Sequence, residues 1–303
     1  MPVTREDVVQ AYRLFLGRDP ESEQAILAHL GSQSLLELAR GLAFSPEFAG
    51  RHKGSPLYYF NGTLEDPLGM IRRYENPDRK PRAGHVVNYL GVATDIRWVP
   101  EISGMAGVVE GVPIPGNWHA DIAEWAAVIR AVELASRTFT VAELGCGWGC
   151  WMNNSAAIAK RRGLKVLALG IEAQPDRLEL AKEACATNGL FPAEYRLHLG
   201  MATAQTFGAI LAGIPRVDLL HFDIQGAERE LVHSTLRFLR ERVAYLVIGT
   251  HSRQIEGSLI EDLMGTGWEL EIERPAIPDP KKPGWESSTD GVQGWRNPAL
   301  TRR

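Results

Sequence analysis

From Asn117 onward, short apolar runs alternate with segments in which apolar residues recur at helical spacing. Five of these runs have the character of strands, at residues 139–144, 165–171, 194–199, 217–223 and 243–249. Such alternation predicts a parallel sheet with helices covering both faces. The tail differs, because no helical pattern separates the strand candidates 268–273 and 292–295. We therefore expect these two to pair as an antiparallel hairpin at the edge of the sheet.

Two further parts precede this α/β domain, which we place at residues 117–303. Residues 1–50 repeat apolar side chains at helical spacing, with Val8 and Tyr12 among them, and predict a small all-α domain. Residues 51–116 scatter glycine and proline among aromatic residues. A connection of that length favours a linker or a lid over the active site.

Composition narrows the class of protein. The 303 residues include 33 basic and 37 acidic side chains, and the resulting net charge of -4 does not favour a nucleic-acid or membrane partner. No apolar run approaches the roughly 18 residues that a membrane helix needs. The charged N-terminus does not resemble a signal peptide, and the three cysteines form no C-x-x-C pair. We therefore expect a cytoplasmic protein without disulfides.

The sequence E-L-G-C-G-W-G at 143–149 lies where the first strand passes into a helix. Gly145 and Gly147 permit a tight turn and a close approach of a ligand to the backbone, beside the free N–H groups of a helix N-terminus. Glu172 ends the second strand. An acid at that position can accept hydrogen bonds from both hydroxyls of an adenosine ribose. The pattern therefore predicts a nucleoside-containing cofactor.

Two classes of cofactor fit this much of the pattern. A dinucleotide site has the spacing G-x-G-x-x-G, but the third glycine would fall at position 150, which is Cys150. Glu143, two residues before the first glycine, would repel a pyrophosphate. An acid there suits a cationic amino group, such as that of S-adenosylmethionine. We therefore favour S-adenosylmethionine over a dinucleotide.

These motifs resemble the FkbM-type S-adenosylmethionine-dependent methyltransferases. The resemblance rests on 143–149, on I-E-A at 171–173 and above all on V-D-L-L-H-F-D-I-Q-G-A-E at 217–228. Further matches at 249–252 and 290–297 extend it to most of the α/β domain. It implies a class I methyltransferase with a seven-stranded, Rossmann-like sheet, mostly parallel with an antiparallel C-terminal strand. It also implies methyl transfer, most often to oxygen, on sugars or secondary metabolites.

The N-terminal segment carries a separate resemblance. L-G-R-D-P at 16–20 and S-P-E-F at 45–48 resemble a bacterial domain of unknown function that is marked by an LGRxPD…SxEF pattern. That family has no established catalytic role. The resemblance implies a possible protein partner or oligomer contact through the N-terminal helices.

The methyltransferase resemblance also implies a set of cofactor contacts for S-adenosylmethionine and its product S-adenosylhomocysteine. These residues are Glu143, Gly145, Cys146, Gly147, Trp148, Glu172, Ala173, Met201, Ala202 and Asp223. One departure concerns the adenine. The loop after the third strand reads H-L-G-M-A at 198–202, without the acid that many class I enzymes use for the adenine amino group. We expect backbone groups of Met201 and Ala202 to serve instead.

A hydroxyl acceptor needs alignment at about 3–3.5 Å from the methyl carbon and benefits from a general base. His251, after the fifth strand, and Asp223, after the fourth, are both candidates. We favour His251 as the base, with Asp223 orienting the substrate or the sulfonium end of the cofactor. Gln225 and Glu228 are candidate substrate contacts, although each equally suits a turn or a helix cap.

Some residues near the predicted site have alternative interpretations. Trp118 and His119 are candidates to close over the site, or equally to pack at the start of the following helix. His221 fits a core or rim histidine better than a second base. We expect no metal, because no acidic partner follows the fifth strand, where the chain reads G-T-H-S at 249–252.

The sequence thus predicts an O-methyltransferase for a glycan or a small metabolite. One alternative is a nucleic-acid or protein N-methyltransferase, which the run D-I-Q-G at 223–226 disfavours, because methylation of adenine typically uses D/N-P-P-Y/F/W there. The other is a catalytically silent methyltransferase-like scaffold. The intact glycine loop and its two acids argue against that alternative.

Overall fold

The structure is a computed structural model that describes residues 3–43, 45, 47–48, 60–282 and 287–301. Contacts within the chain group it into two compact units, Met1–Pro56 and Leu57–Arg303. Parts of the predicted N-terminal motif and lid, at 46 and 51–59, lie outside the described residues. Among the described residues, no helix is long and apolar enough to cross a membrane.

The N-terminal unit is built from short helices around a small apolar core. Helices α1 (Arg5–Ala11), α2 (Glu23–Leu30) and α3 (Leu35–Ala43) form it, and α1 continues into a π-helical turn at Tyr12–Leu16. Thr4 begins α1 with a capping box, in which its hydroxyl accepts the N–H of Asp7. The buried side chains that hold the unit together are Val3, Val8, Tyr12, Leu16, Ile26, Leu38 and Leu42.

The second unit is a layered α/β structure. Its helices are α4 (Pro67–Arg73), α5 (Ile122–Leu134), α6 (Cys150–Arg161), α7 (Pro175–Thr187), α8 (Ala204–Ile210), α9 (Glu228–Arg242) and α10 (Arg253–Gly265). Its main sheet consists of β1 (Asn61–Gly62), β4 (Thr138–Leu144), β5 (Lys165–Glu172), β6 (Tyr195–Leu199), β7 (Leu219–Phe222), β8 (Tyr245–Thr250), β9 (Glu269–Arg274) and β12 (Gly291–Arg296). Two small antiparallel pairs accompany it, β2 (His85–Val87) with β3 (Ala93–Asp95) and β10 (Ile277–Pro278) with β11 (Ser287–Thr289).

The order of strands in the main sheet is β1-β9-β12-β8-β7-β4-β5-β6. Strands β4 to β8 are parallel, which confirms the predicted α/β, Rossmann-like architecture. β12 lies antiparallel to both β8 and β9, so the predicted antiparallel pairing of the two C-terminal strands is also confirmed.

Two expectations about this sheet are wrong. The main sheet has eight strands among the described residues instead of seven, and the C-terminal pair does not form its edge. The additional strand is β1, which pairs with β9 at the edge. Its two residues, Asn61 and Gly62, are too few to show strand periodicity and look like a turn. Glycine is needed at 62 because a β-carbon there would clash with the backbone of Glu271.

Side chains alternate between two cores along the parallel strands. On β4, Phe139 and Val141 join the core formed with α5, α6 and α7, whereas Ala142 and Leu144 join the core formed with α8, α9 and α10. Both faces of the strand are therefore apolar, as expected for a sheet covered on both sides. The parallel arrangement directs all these strands to end at one rim of the sheet.

Residues 60–116 pack against the helices of the sheet. Tyr89 is fully buried and lies edge-on to Trp125 on α5, with ring centroids 5.0 Å apart. The Asn88 amide donates to the Asn154 side-chain oxygen on α6 at 2.7 Å. The N–H of Ala93 donates to the side chain of Asn188 at 2.8 Å. Buried hydrogen bonds of this kind tie the segment to the sheet domain.

The contact between β12 and the neighbouring layers provides a test of the fold. A β-carbon at Gly294 would lie 2.8 Å from Ile272 and 2.9 Å from Ala127, whereas nothing lies within 4 Å of one at Gly257 on α10. We expect Gly294→Ala to destabilise the protein by about 1–3 kcal/mol through overpacking. Gly257→Ala, the matched control, should stabilise it by about 0.5–1 kcal/mol. Denaturant unfolding measures both, and equal effects would contradict the packing of β12.

Candidate active site

The carboxyl ends of β4, β5 and β7 open into a cleft of about 850 Å³. Clefts at this end of a parallel sheet are the usual ligand sites of such folds. The structure brings most of the predicted site residues together there: His119, Glu143, Gly145, Cys146, Gly147, Trp148, Glu172, Ala173, Met201, Ala202, Asp223 and Gln225. Trp118, Glu228 and His251 do not belong to its lining.

The glycine loop turns sharply between β4 and α6. Gly145, Gly147 and Gly149 have φ angles of 71°, 53° and 77°, a region that other residues rarely adopt. A β-carbon at Gly145 would also lie 3.1 Å from the carbonyl oxygen of Asp223. The loop therefore passes close to the end of β7, and glycine is required at both the bend and the approach.

Glu143 stabilises this loop through hydrogen bonds to the start of α6. Its side chain is buried, and its two oxygens accept the N–H groups of Trp151 at 3.2 Å and Met152 at 2.8 Å. These are donors that the first turn of a helix otherwise leaves free. Burial raises the pKa of Glu143 to about 7. Because the residue also lines the cleft, a bound cation would favour its ionised form.

Glu172 lies at the tip of β5, opposite the loop, and is 7% exposed. One oxygen accepts the N–H of Gly147 and the other accepts the N–H of Gln174, both at 2.9 Å. The carboxylate is thus fixed in orientation, with lone pairs left for a ligand in the cleft. Arg177 lines the same end of the cleft, together with the exposed Met201.

An acidic cluster surrounds His251 behind Asp223. The His251 Nε2 atom lies 3.1 Å from an Asp223 oxygen, and its Nδ1 atom lies 3.1 Å from a Glu228 oxygen. A third carboxylate, that of Asp290, is 4.0 Å from Nε2. The ring nitrogens are within ion-pair distance of these oxygens, without the alignment of linear hydrogen bonds. The arrangement suits an imidazolium ring, which carries a proton on both nitrogens.

The surroundings of His251 do not favour its predicted role as general base. The contact with Asp223, followed by that with Glu228, raises the pKa of His251 to about 10. A histidine that is already protonated cannot accept a proton from a substrate. Conversely, burial would raise the pKa of Asp223, but His251 outweighs this effect and lowers it. The contact places His251 where it can orient Asp223, and its role as a base stays a prediction.

Glu228 also needs correction as a substrate contact. It has no exposed surface, and one of its oxygens accepts the N–H groups of Ile224 at 3.0 Å and Gly226 at 3.1 Å. It thus supports the loop after β7 from inside the protein. Gln225 on that loop adopts a positive φ of 57° and donates to Asp223 at 3.0 Å, in the lining of the cleft.

A metal ion is conceivable at this cluster from distances alone. The candidate ligand atoms of Asp223, Glu228 and His251 lie within 4.8 Å of one another. However, the His251 ring stands between the two carboxylates and supplies the positive charge that they require. We therefore assign no metal ligands here, and metal independence stays a prediction.

The floor of the cleft contains a pair that sequence reasoning missed. Glu124 on α5 accepts hydrogen bonds from the Trp151 indole at 2.9 Å and from His221 Nε2 at 3.1 Å. Glu124 looks like an ordinary acid in the first turn of a helix that Asp121 caps. The alternation along β7 places His221 on the same side as Asp223, and that is the sequence signal for it.

Trp148, which lines the cleft, packs among other aromatic side chains. Trp148 lies between Trp98 and Trp118, with ring centroids 6.3 Å and 6.0 Å away and interplanar angles of 25° and 30°. His119 meets Trp118 edge-on at 4.7 Å, and burial lowers its pKa to about 3, so it is neutral. Its Nδ1 lies 3.5 Å from the Cys150 thiol. Trp98, from the segment before α5, and Trp118 thus pack against a residue of the cleft lining without belonging to it.

Comparison with known proteins shows the family to which this chain belongs. No family model matches the chain. A protein of Jannaschia sp. (strain CCS1), provisionally described as a methyltransferase, is 35% identical over 76% of this chain and 98% of its own length. The chain belongs to this methyltransferase family.

Solved structures of other methyltransferases resemble this methyltransferase weakly. One from Streptococcus pneumoniae, provisionally described as a tRNA (m1A22) methyltransferase, is 14% identical, with 55% of this chain and 68% of that chain covered and a TM-score of 0.40. The precorrin-6y C5,15-methyltransferase of Geobacter metallireducens GS-15 is 11% identical, with coverage of 56% and 86% and a TM-score of 0.40. TM-scores of 0.40 are too low to indicate the substrate of this methyltransferase.

The protonated state of His251 predicts how stability depends on pH. Its pKa rises from 6.5 to about 10 on folding, so its contribution is complete below pH 6.5 and is lost as pH rises toward 10. The wild-type methyltransferase should therefore lose up to about 1.4 kcal/mol per pH unit more than His251→Gln in that window. Denaturant unfolding over this range measures the difference. His233→Gln, at an exposed histidine on α9, is the control, and parallel curves for wild type and His251→Gln would contradict the assignment.

Proposed function

We propose that this methyltransferase is an FkbM-type, S-adenosylmethionine-dependent O-methyltransferase that acts on a hydroxyl of a glycan or a small metabolite. S-adenosylmethionine supplies an activated methyl group when bound. The chain's own residues fit it: an acid beside the glycine loop for the cationic end, an acid at the tip of β5 for the ribose, and an open loop at Met201 and Ala202 for the adenine.

The observation that carries this proposal is the position of Glu172. Its buried carboxylate faces the cleft at the end of the second parallel strand and is held by Gly147 from the glycine loop itself. A carboxylate oriented in this way suits vicinal hydroxyls. On the other side of the loop, the carboxyl groups of Glu143 and Glu124 line the cleft, and a cationic sulfonium compound would favour their ionised form, whereas a pyrophosphate would not.

Asp223 is the residue best placed to face the acceptor. It lies at the tip of β7, and its side chain is 44% exposed, although His251 and Gln225 hold it from behind. A carboxylate held in this way can accept the hydrogen bond of an acceptor hydroxyl and orient its oxygen. Trp148 and His119, which also line the cleft, would border the acceptor. The predicted role of residues 51–116 as a lid rests, among the described residues, on Trp98, which stacks on Trp148 of the cleft lining.

The N-terminal unit does not contribute to this mechanism in our proposal. Its resemblance at 16–20 and 45–48 supports a role in contacting a protein partner or another copy of the chain. Removal of such a unit should leave cofactor binding unchanged, because the cleft residues all lie between positions 119 and 227.

Glu172 provides the direct test of the cofactor. Isothermal titration of wild-type protein with S-adenosylmethionine should show binding, and Glu172→Gln should weaken it by about 10- to 100-fold, because hydrogen bonds to a charged group contribute about 1.5–3 kcal/mol. Glu179→Gln, at an exposed acid on α7, is the matched control. Failure of the wild type to bind, or binding of NADH instead, would refute the proposal.

The acceptor is tested with methyl-labelled S-adenosylmethionine and a panel of methyl glycosides. Label transferred to a hydroxyl forms an ether, which survives mild alkali, whereas a methyl ester does not. We expect alkali-stable label, and the same rate after dialysis against EDTA, because His251 occupies the position of a cation at the acidic cluster. Label transferred only to nucleic acid or protein would overturn O-methylation of a small acceptor. Loss of activity with EDTA would overturn metal independence.

A further inference from the structure

Glu124 and His221 form a second pair of carboxylate and histidine, in addition to Asp223 and His251, and both line the cleft. His221 Nε2 lies 3.1 Å from Glu124 Oε1, which also accepts the Trp151 indole N–H at 2.9 Å. His221 is 4% exposed and belongs to the lining of the cleft. Its other nitrogen, Nδ1, is buried and has no hydrogen-bond partner among the described residues.

An unpartnered buried nitrogen on a residue that lines a ligand cleft requires explanation. Leaving such a group unsatisfied costs about 1–3 kcal/mol, so native structures rarely keep one without a role. When the ring is neutral, the carboxylate at Nε2 favours the tautomer that has its lone pair on Nδ1. This is the orientation that a histidine needs in order to accept a proton from a ligand.

The two histidines of the site differ in this respect. Both nitrogens of His251 lie against carboxylates, so it holds its proton, whereas His221 has one engaged nitrogen and one free nitrogen. Around His221, Glu124 faces it from α5, Glu143 from β4 and Asp223 from its own chain segment. Burial would lower the pKa of His221, but these carboxylates, led by Glu124, outweigh it and raise the pKa.

We propose that His221, oriented by Glu124, is the group that takes the proton from the acceptor hydroxyl. The inference rests on the proposed function. As the acceptor oxygen forms its bond to the methyl carbon, the carbon–sulfur bond breaks and its electron pair stays on sulfur. The hydroxyl proton moves to His221 Nδ1, and the resulting imidazolium is neutralised by Glu124. Asp223 orients the hydroxyl, and His251 holds Asp223.

The protonation of the two rings can be measured without any acceptor. Protein labelled with ¹⁵N-histidine and saturated with S-adenosylhomocysteine is titrated by NMR, with His221→Gln and His251→Gln to assign the signals. As pH rises, His221 should lose its Nδ1 proton before His251 loses either proton, and His221 should keep the proton on Nε2. Earlier deprotonation of His251, or a His221 ring that keeps its proton on Nδ1, would overturn the inference.

Turnover with the panel of methyl glycosides then distinguishes a general base at His221 from a residue that only contacts the cofactor. His221→Gln keeps a donor for Glu124 but cannot take a proton, so kcat should fall by about 10²- to 10⁴-fold. The affinity for S-adenosylhomocysteine should stay unchanged, and the rise of kcat with pH should disappear. His233→Gln, outside the cleft, is the control. Normal kcat in His221→Gln, or lost cofactor affinity with kcat retained, would overturn the inference.

Glu124→Gln tests the positioning part of the same proposal. It should lower kcat less than His221→Gln does and should shift the tautomer seen by NMR, because the amide no longer requires a proton on Nε2. An unchanged tautomer in Glu124→Gln would overturn the role of Glu124. A failure of the proposed function is distinguishable, because it would show as no binding of S-adenosylmethionine to the wild type. A failure of this inference leaves that binding intact.

Discussion

The buried carboxylate of Glu143 is the interaction on which the site depends. It accepts two N–H groups from the start of α6 while it belongs to the end of β4, so it joins strand and helix across the glycine turn. A turn with three glycines at positive φ has little conformational preference of its own. The carboxylate, together with the contact of Glu172 to Gly147, holds the loop in one arrangement. Two carboxylates from the sheet thus hold the loop at the rim of the cleft.

Two histidines of the site lie among several carboxylates. We assign each a different role from the number of its ring nitrogens that contact a carboxylate. His251 lies between Asp223 and Glu228 and acts as a fixed cation. His221 touches Glu124 through one nitrogen and keeps the other unengaged. The same residue type thus performs positioning at one place and proton transfer at the other, as we propose.

Most of the architecture followed from local patterns. The alternation of strands and helices predicted the parallel part of the sheet, since both faces of strands such as β4 are apolar and only such a sheet buries both. The edge strand Asn61–Gly62 escaped prediction because two residues have no periodicity. The glycine loop and Glu172 could be located because their chemistry depends on the ends of consecutive elements. Glu124 could not, since nothing in its own helix distinguishes it from an ordinary first-turn acid.

The sequence by itself determined the order of elements, the turn at Gly145 and Gly147, and the acids at the ends of β4 and β5, because these are properties of neighbouring residues. Only the tertiary structure decided which carboxylates surround each histidine, and hence the protonation that we propose for it. Protonation depends on groups distant along the chain: Glu228 and Asp223 for His251, and Glu124 for His221. Their electrostatic effect is set by separation in space and by burial, which no local pattern encodes.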